Sequence, residues 1–256
     1  MPPIRPRLAV SVIVHNEAGE LAELLRSVRG LGDELVVVDC ESTDASAAVA
    51  RRAGARVYRR PNLENLNVNK AWGIARTKAP WVLYLDPDER MTPALKKEIL
   101  ATIHRPDAAD AYEIPRRNFY FGTWLRWGGK YPDSQRRLFK RNRARFAEQH
   151  VHERVQVDGP MGRLRAPFDH HPYPDMEAYL RKANFYAVFQ ARYLAKRGAR
   201  AGAWNMFLYC AWLPVTRFVR RYVFKLGFLD GLPGFLGCAH DTLTQILTYA
   251  HLAKIS

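Results

Sequence analysis

Trp81-Val82-Leu83-Tyr84-Leu85-Asp86-Pro87-Asp88-Glu89 decides how this chain is read. Five apolar or aromatic residues in succession leave no polar face, as a strand covered on both sides requires. The run then stops on two carboxylates one residue apart. Leu8–Val14 and residues 34–38 repeat the pattern: a short β-branched run that ends on polar groups, Asn16-Glu17 after the first and Asp39 after the second. Helical patterns lie between. Leu21, Leu24, Leu25 and Val28 share one helical face, residues 45–53 follow a Ser42-Thr43-Asp44 start, and Thr92-Pro93 offers an N-cap with proline at the first helical position. Strands alternating with helices predict an α/β open sheet. Ligands of such sheets sit beyond the carboxyl ends of the strands, where these polar residues cluster.

Farther along, residues 112–115, 137–139 and 151–157 read as strands, and Met176–Lys196 as one long helix. Residues 203–213 are apolar and aromatic. Apolar side chains then recur at Val215, Phe218, Val219, Tyr222, Val223 and Leu226, flanked by Arg217, Arg220, Arg221 and Lys225, the pattern of a basic amphipathic helix. The expected organisation is a first domain over 1–170, in two parts (1–110 and 111–170), followed by a helical region over 171–256. The 203–213 run is too short to span a bilayer. The four basic residues predict instead a peripheral seat on an anionic membrane surface, on its cytoplasmic face.

Charge is divided unevenly. Residues 1–110 carry 16 Lys/Arg against 15 Asp/Glu, and residues 111–256 carry 24 against 10, so nearly the whole excess of +15 lies in the second part. Such a bias calls for an anionic partner. Cys40, Cys210 and Cys238 lack metal-ligand spacing and read as reduced thiols. The sequence carries no signal for an oligomeric state.

Two carboxylates at a strand end, Asp86 and Asp88, can share a hard divalent cation, Mg²⁺ or Mn²⁺, with a diphosphate. Asp39, followed by small hydroxyl residues, can grip a base or ribose, while Ser42 or Thr43 caps the next helix. Arg136 and Arg137 open a basic cluster that also holds Lys140, Arg141, Arg143 and Arg145, suited to an acceptor phosphate or to the donor diphosphate.

Taken in order, Ser11-Val12-Ile13-Val14-His15-Asn16-Glu17, then residues 36–44, then Asn69-Lys70-Ala71-Trp72-Gly73-Ile74-Ala75, then residues 81–90 resemble the inverting family-two glycosyltransferases of the GT-A fold. Tyr131-Pro132-Asp133-Ser134-Gln135-Arg136-Arg137-Leu138-Phe139, Val151-His152-Glu153 and Phe228-Leu229-Asp230-Gly231-Leu232-Pro233-Gly234-Phe235 resemble a narrower branch, the β-glucosyltransferases of the lipopolysaccharide core. The resemblance implies a catalytic domain over 1–170, with a nucleotide-binding part (1–110) and an acceptor part (111–170), and transfer from a UDP-sugar donor, glucose in that branch, to a lipopolysaccharide core or other cell-envelope glycolipid acceptor. It implies nucleotide contacts from Asn16, Glu17, Asp39, Asp44 and Lys70, with Asp86 near the ribose and Asp88 on the metal. Two departures stand out: residues 11–17 lack the Pro-Thr-Tyr common in the family, and the downstream Glu-Asp pair that often supplies the base is missing. An inverting transfer still needs a general base. Glu153 and Asp133 are the candidates, with His152 a possible further metal ligand.

Two other function classes compete. Phe119, Tyr120, Phe121, Trp124 and Trp127 among basic residues would suit nucleic-acid stacking, although no RNA-binding motif is legible. A non-catalytic membrane scaffold is the third reading, and intact Asp39, Asp86 and Asp88 argue against it.

Overall fold

The computed structural model describes residues 7–63, 65–145 and 155–255. Its elements, in chain order, begin β1 (Leu8–Val14), α1 (Ala18–Ser27), β2 (Glu34–Asp39), α2 (Ser46–Arg52), β3 (Arg56–Arg59), α3 (Leu66–Ala75), β4 (Trp81–Leu85), β5 (Glu89–Arg90) and α4 (Pro93–Ile103). Shorter strands follow: β6 (Ala111–Ile114), β7 (Arg116–Tyr120), β8 (Thr123–Trp124), β9 (Gln135–Lys140), β10 (Ala144–Arg145), β11 (Gln156–Val157), β12 (Met161–Arg163) and β13 (Phe168–Tyr173). Helices α5 (Met176–Lys196), α6 (Ala203–Phe207), α7 (Leu213–Val219) and α8 (Gly231–Ile255) complete the chain. It divides into two compact units, Met1–Arg116 with Ser134–His170, and Arg117–Asp133 with His171–Ser256. Residues 117–133, read in the sequence as part of the acceptor region, group with the C-terminal helices.

The first unit is an α/β sheet in the order β12-β6-β9-β4-β1-β2-β3. Strands β4, β1, β2 and β3 run parallel, in a register that puts Val12 beside Val37 and Leu85. Strand β9 enters antiparallel between β4 and β6. Every residue of β1 is buried, which its unbroken apolar sequence requires. Alternation along the strands feeds two layers. Leu8, Val10, Val12, Val14, Leu83 and Leu85 pack with Leu21 and Leu24 of α1 and Leu95 and Ile99 of α4. On the other face Ile13, Val38 and Cys40 meet Leu66 and Trp72 of α3, and Val82 and Phe139 meet Ile74. Each such side chain, fully buried, contributes about 1.5–3 kcal/mol relative to exposure. Gly73 lets α3 lie close to the sheet: a β-carbon there would stand 2.8 Å from Val38 Cγ2.

Most boundaries follow the sequence reading. Thr92 caps α4 by accepting from the Leu95 N–H, with Pro93 opening the helix. The capping expected at Ser42 or Thr43 is not what forms. Ala45 occupies the cap of α2 without a side-chain bond, and Asp44 Oδ1 accepts from the Ser46 N–H instead. Of the strand expected over 151–157, residues 151–154 lie outside the described residues.

In the second unit, β7 and β8 form a hairpin pairing Phe119 with Trp124 and Tyr120 with Thr123. Phe121 and Gly122 at its tip both have positive φ (52° and 78°), the conformation that matches the twist of a two-residue hairpin. Helix α5, capped by Asp175, buries Ala183, Ala187 and Ala191 along a stripe four residues apart. These small side chains let it pack closely against α8. Residues 203–224 are helical throughout, with widened π turns at Leu208–Trp212 and Arg220–Phe224. Pro214 has no N–H to donate to the preceding turn, and the wide turn before it absorbs the missing bond. A corner then reverses the chain into α8. Gly234 is required there, because a β-carbon would fall 2.2 Å from the Gly227 carbonyl oxygen. Among the described residues no helix is long and apolar enough to cross a membrane.

The aromatic residues that invited a nucleic-acid reading are mostly engaged within this unit. Tyr120 packs edge-on against Tyr173, Phe119 stacks on His171, and Trp124 meets Tyr131. Trp127 remains exposed.

Candidate active site

Strands β1, β2 and β4 end together, and the turns after them bring the polar residues of the first unit into one place. Asn16 follows β1 in the left-handed region (φ 53°). Its side-chain oxygen accepts from the backbone N–H of Thr43 at 2.7 Å and of Asp44 at 3.3 Å. In return the Asn16 N–H donates to Ser42 Oγ, and the Ala18 N–H donates to Asp44 Oδ2. Burial pushes the Asp44 carboxyl up, but hydrogen bonds from Ser46 and from the Ala18 N–H outweigh it and hold the group below its ordinary range. Asn16 and Asp44 therefore stitch the first two turns together. Ser42 is held in the same way, so its hydroxyl serves the neighbouring loop rather than the helix end. Glu17 lies in the same loop, its N–H donating to Ser46 Oγ. Asp39 is buried at the end of β2, one oxygen accepting from the Ser42 N–H at 3.2 Å.

The turn after β4 is clamped from several sides. The Glu89 N–H donates to the Asp86 carbonyl, and the Asp86 N–H donates to Glu89 Oε2, both at 3.0 Å. Arg90 donates to the carbonyls of Pro87 and Glu89 and pairs with Glu20 of α1. Lys70 of α3 reaches Asp86 Oδ1 at 2.8 Å, and Arg137 of β9 reaches Asp86 Oδ2 at 2.6 Å. Arg137 also pairs with Glu89, and its guanidinium lies 4.1 Å from the centre of the Tyr84 ring. Asp86 thus meets two cations.

Glu89 and Arg137 are almost wholly buried. Burial and the nearby Asp86 push the Glu89 carboxyl well above its ordinary range, while Arg116, 3.9 Å away, pulls against them. Burial presses the Arg137 guanidinium downward. Arg137 was expected among the phosphate-binding residues. Its burial against Asp86 and Glu89 makes it a prop of the acidic turn instead. Arg136 is half-buried, donating to the Val155 carbonyl at 2.9 Å and lying 3.7 Å from Glu113. The pair therefore does not form an open phosphate clamp.

Asp88 has different company. Its Oδ1 lies 3.5 Å from Nε2 of His170, which β13 delivers by pairing His170 opposite Glu89. Sequence reasoning missed His170: a histidine pair on a short strand has no legible spacing to the Asp86-Pro87-Asp88 turn. The register of β5 with β13 is what joins them. His152 and Glu153 lie outside the described residues. Asp133 belongs to the second unit, where its Oδ2 accepts from the Asn118 amide at 3.1 Å.

The chain matches the sequence profile of glycosyl transferase family 2 over residues 9–171. It belongs to that family. The match runs from β1 through His170 and so contains the whole turn cluster just described. An uncharacterized glycosyltransferase of Rickettsia prowazekii (strain Madrid E) is 29% identical over 98% of this chain and 88% of its own length. The lipopolysaccharide core biosynthesis glycosyltransferase LpsC of Rhizobium meliloti (strain 1021) is 25% identical, over 96% of this chain and 93% of its own. Among solved structures, the mannosyltransferase PcManGT from Pyrobaculum calidifontis, in complex with GDP-Man and Mn²⁺, has a TM-score of 0.52 at 16% identity, covering 99% of this chain and 87% of that one. S. aureus TarS 1-349 in complex with UDP-GlcNAc has a TM-score of 0.51 at 14% identity, covering 94% and 90%. The protein is thus a glycosyltransferase with the GT-A fold.

Proposed function

We propose that the enzyme moves a sugar, glucose in the branch its motifs resemble, from a UDP-sugar to a lipopolysaccharide core or other cell-envelope glycolipid acceptor with inversion at the anomeric carbon. The observation that carries the donor half is the unlike treatment of the two carboxylates. Asp86 is neutralised by Lys70 and Arg137, whereas Asp88 stands beside His170. One carboxylate and one imidazole suit Mg²⁺ or Mn²⁺, which take the remainder of their ligands from phosphate and water. Among the described residues no cluster of three or more such ligands occurs, and the diphosphate oxygens would supply further ligands. Bound there, the cation offsets charge on the departing diphosphate.

The remaining roles fall to this chain's own groups. Asp39 offers a buried acceptor to the base, and Lys70 with Asp86, paired at 2.8 Å, would contact the nucleotide, Asp86 near the ribose. The acceptor oxygen attacks the anomeric carbon as its bond to the diphosphate breaks. Glu153, with Asp133 as the competing candidate, takes the acceptor's proton. The fold alone does not choose the nucleotide, since PcManGT holds GDP-Man and TarS holds UDP-GlcNAc. The uridine reading rests on the motif order from Ser11 to Arg90, and the acceptor reading is supported by the likeness to LpsC over nearly the whole chain.

Asp88→Asn should lower transfer at least ~100-fold while the thermal midpoint stays put. Full activity in that variant, or in wild type with excess EDTA, would overturn the metal assignment.

A further inference from the structure

The helix over residues 203–224 and the corner after it leave large apolar side chains in solvent. Trp204, Phe224 and Leu232 are 72%, 77% and 69% exposed, and Trp212, Phe228 and Leu229 are about half exposed. The inner face of the same helix packs through other side chains. Phe218 stacks on Tyr222, and both rings meet Phe235 edge-on. Arg221 also turns inward, pairing with Asp241 at 2.8 Å and donating to the Gly128 carbonyl. The stripe expected from sequence is therefore split. Phe218, Tyr222 and Arg221 hold the unit together, while Val215, Val219 and Val223, spaced one turn apart, face out. Arg217, Arg220 and Lys225 are exposed beside them. An outward apolar band of this extent marks a binding surface.

Charge selects the occupant. From residue 178 to residue 229 the chain contains ten Lys/Arg and no Asp or Glu. An apolar band with tryptophans at its margin and long basic side chains beside it matches the boundary between lipid headgroups and acyl chains. We infer that this outer face lies flat on an anionic lipid surface. Phe224, Phe228, Leu229 and Leu232 enter the acyl boundary, and Arg217, Arg220 and Lys225 rest on the phosphates. The surface is argued from exposure and charge in the second unit and is independent of the donor, the metal and the base.

Vesicle flotation tests it without reference to catalysis. Wild type should float with equimolar phosphatidylglycerol and phosphatidylcholine, and at least tenfold less with phosphatidylcholine alone or in ~1 M salt, where screening shrinks to about 3 Å. The triple variant Phe224→Ser, Leu229→Ser, Leu232→Ser should lose flotation while keeping its circular dichroism. The triple variant Arg217→Ala, Arg220→Ala, Lys225→Ala should lose the preference for phosphatidylglycerol. Quenching of wild-type tryptophan fluorescence by brominated acyl chains reads the same insertion without any substitution. Wild type that stays soluble, an apolar variant that floats as well as wild type, or absent quenching would each overturn the inference. So would a wild-type dimer that does not float and that the apolar substitutions dissociate, since the face would then belong to a second copy of the chain.

Discussion

The two units place the same kinds of side chain under opposite rules. In the first, charge is drawn inward: Glu89 and Arg137 sit beneath the Asp86-Pro87-Asp88 turn with almost no exposure. In the second, apolar surface is turned outward along residues 203–235, while the analogous ion pair, Arg221 with Asp241, keeps 34% and 25% of its side chains in solvent. A buried charge that loses its partner has no water to replace it, and a half-exposed one does. The contrast assigns rigidity to the Asp86-Pro87-Asp88 turn and adaptability to the outer helix face. It also predicts that equivalent substitutions will differ in effect.

Arg137→Ala should show the largest change. It strands Glu89 without its nearest cation and frees Asp86 from one of its two, and it should remove ~3–5 kcal/mol of stability in urea unfolding. A loss below about 1 kcal/mol would mean that the turn does not depend on the buried pair.

Next comes the pH response of the second unit. His240 is buried, with its Nε2 2.9 Å from the Tyr173 hydroxyl, and burial lowers its pKa to about 4. The unfolded chain binds this proton near pH 6.5, so between pH 6.5 and about 4 it holds more protons than the folded one. The contribution of His240 is full above pH 6.5 and is lost as pH falls, by about 2–3 kcal/mol across that window. Comparing urea midpoints of wild type and His240→Gln through the window isolates it. Equal slopes in the two proteins would contradict the burial argument.

The smallest effect belongs to Arg221→Ala, at ~1 kcal/mol or less by the same unfolding measurement, because Arg221 keeps 34% of its side chain in solvent and Lys130, 3.9 Å from the same Asp241 oxygen, remains as a partner. A loss equal to that of Arg137→Ala would erase the distinction between the units.

The same contrast explains what could be read in the sequence. Strands β1, β2 and β4 are legible because burial on both faces forces continuous apolar runs, and Thr92-Pro93 marks its helix by local chemistry alone. Asp86 and Asp88 stand out because a strand end fixes where they go. Arg137 reads as one more cation in a basic run, since nothing nearby in sequence reveals that β9 lies next to β4. His170 is hidden for the same reason: only the pairing of β13 with β5 brings it to Asp88. The stripe from Val215 is visible as a period, but which residues face inward depends on widened helical turns and on the aromatic ring of Phe235, both tertiary matters.

The central claim is that Asp86 and Asp88 do different work, one neutralised by Lys70 and Arg137, the other joined with His170 to receive a divalent cation. Calorimetric titration of UDP with and without Mn²⁺ tests it most directly, in wild type, Asp88→Asn and His170→Ala. Mn²⁺ should tighten UDP binding at least ~10-fold in wild type, equivalent to about 1.4 kcal/mol, and the gain should vanish in Asp88→Asn and fall sharply in His170→Ala. A Mn²⁺ gain of full size in both variants, or none in wild type, would contradict the account.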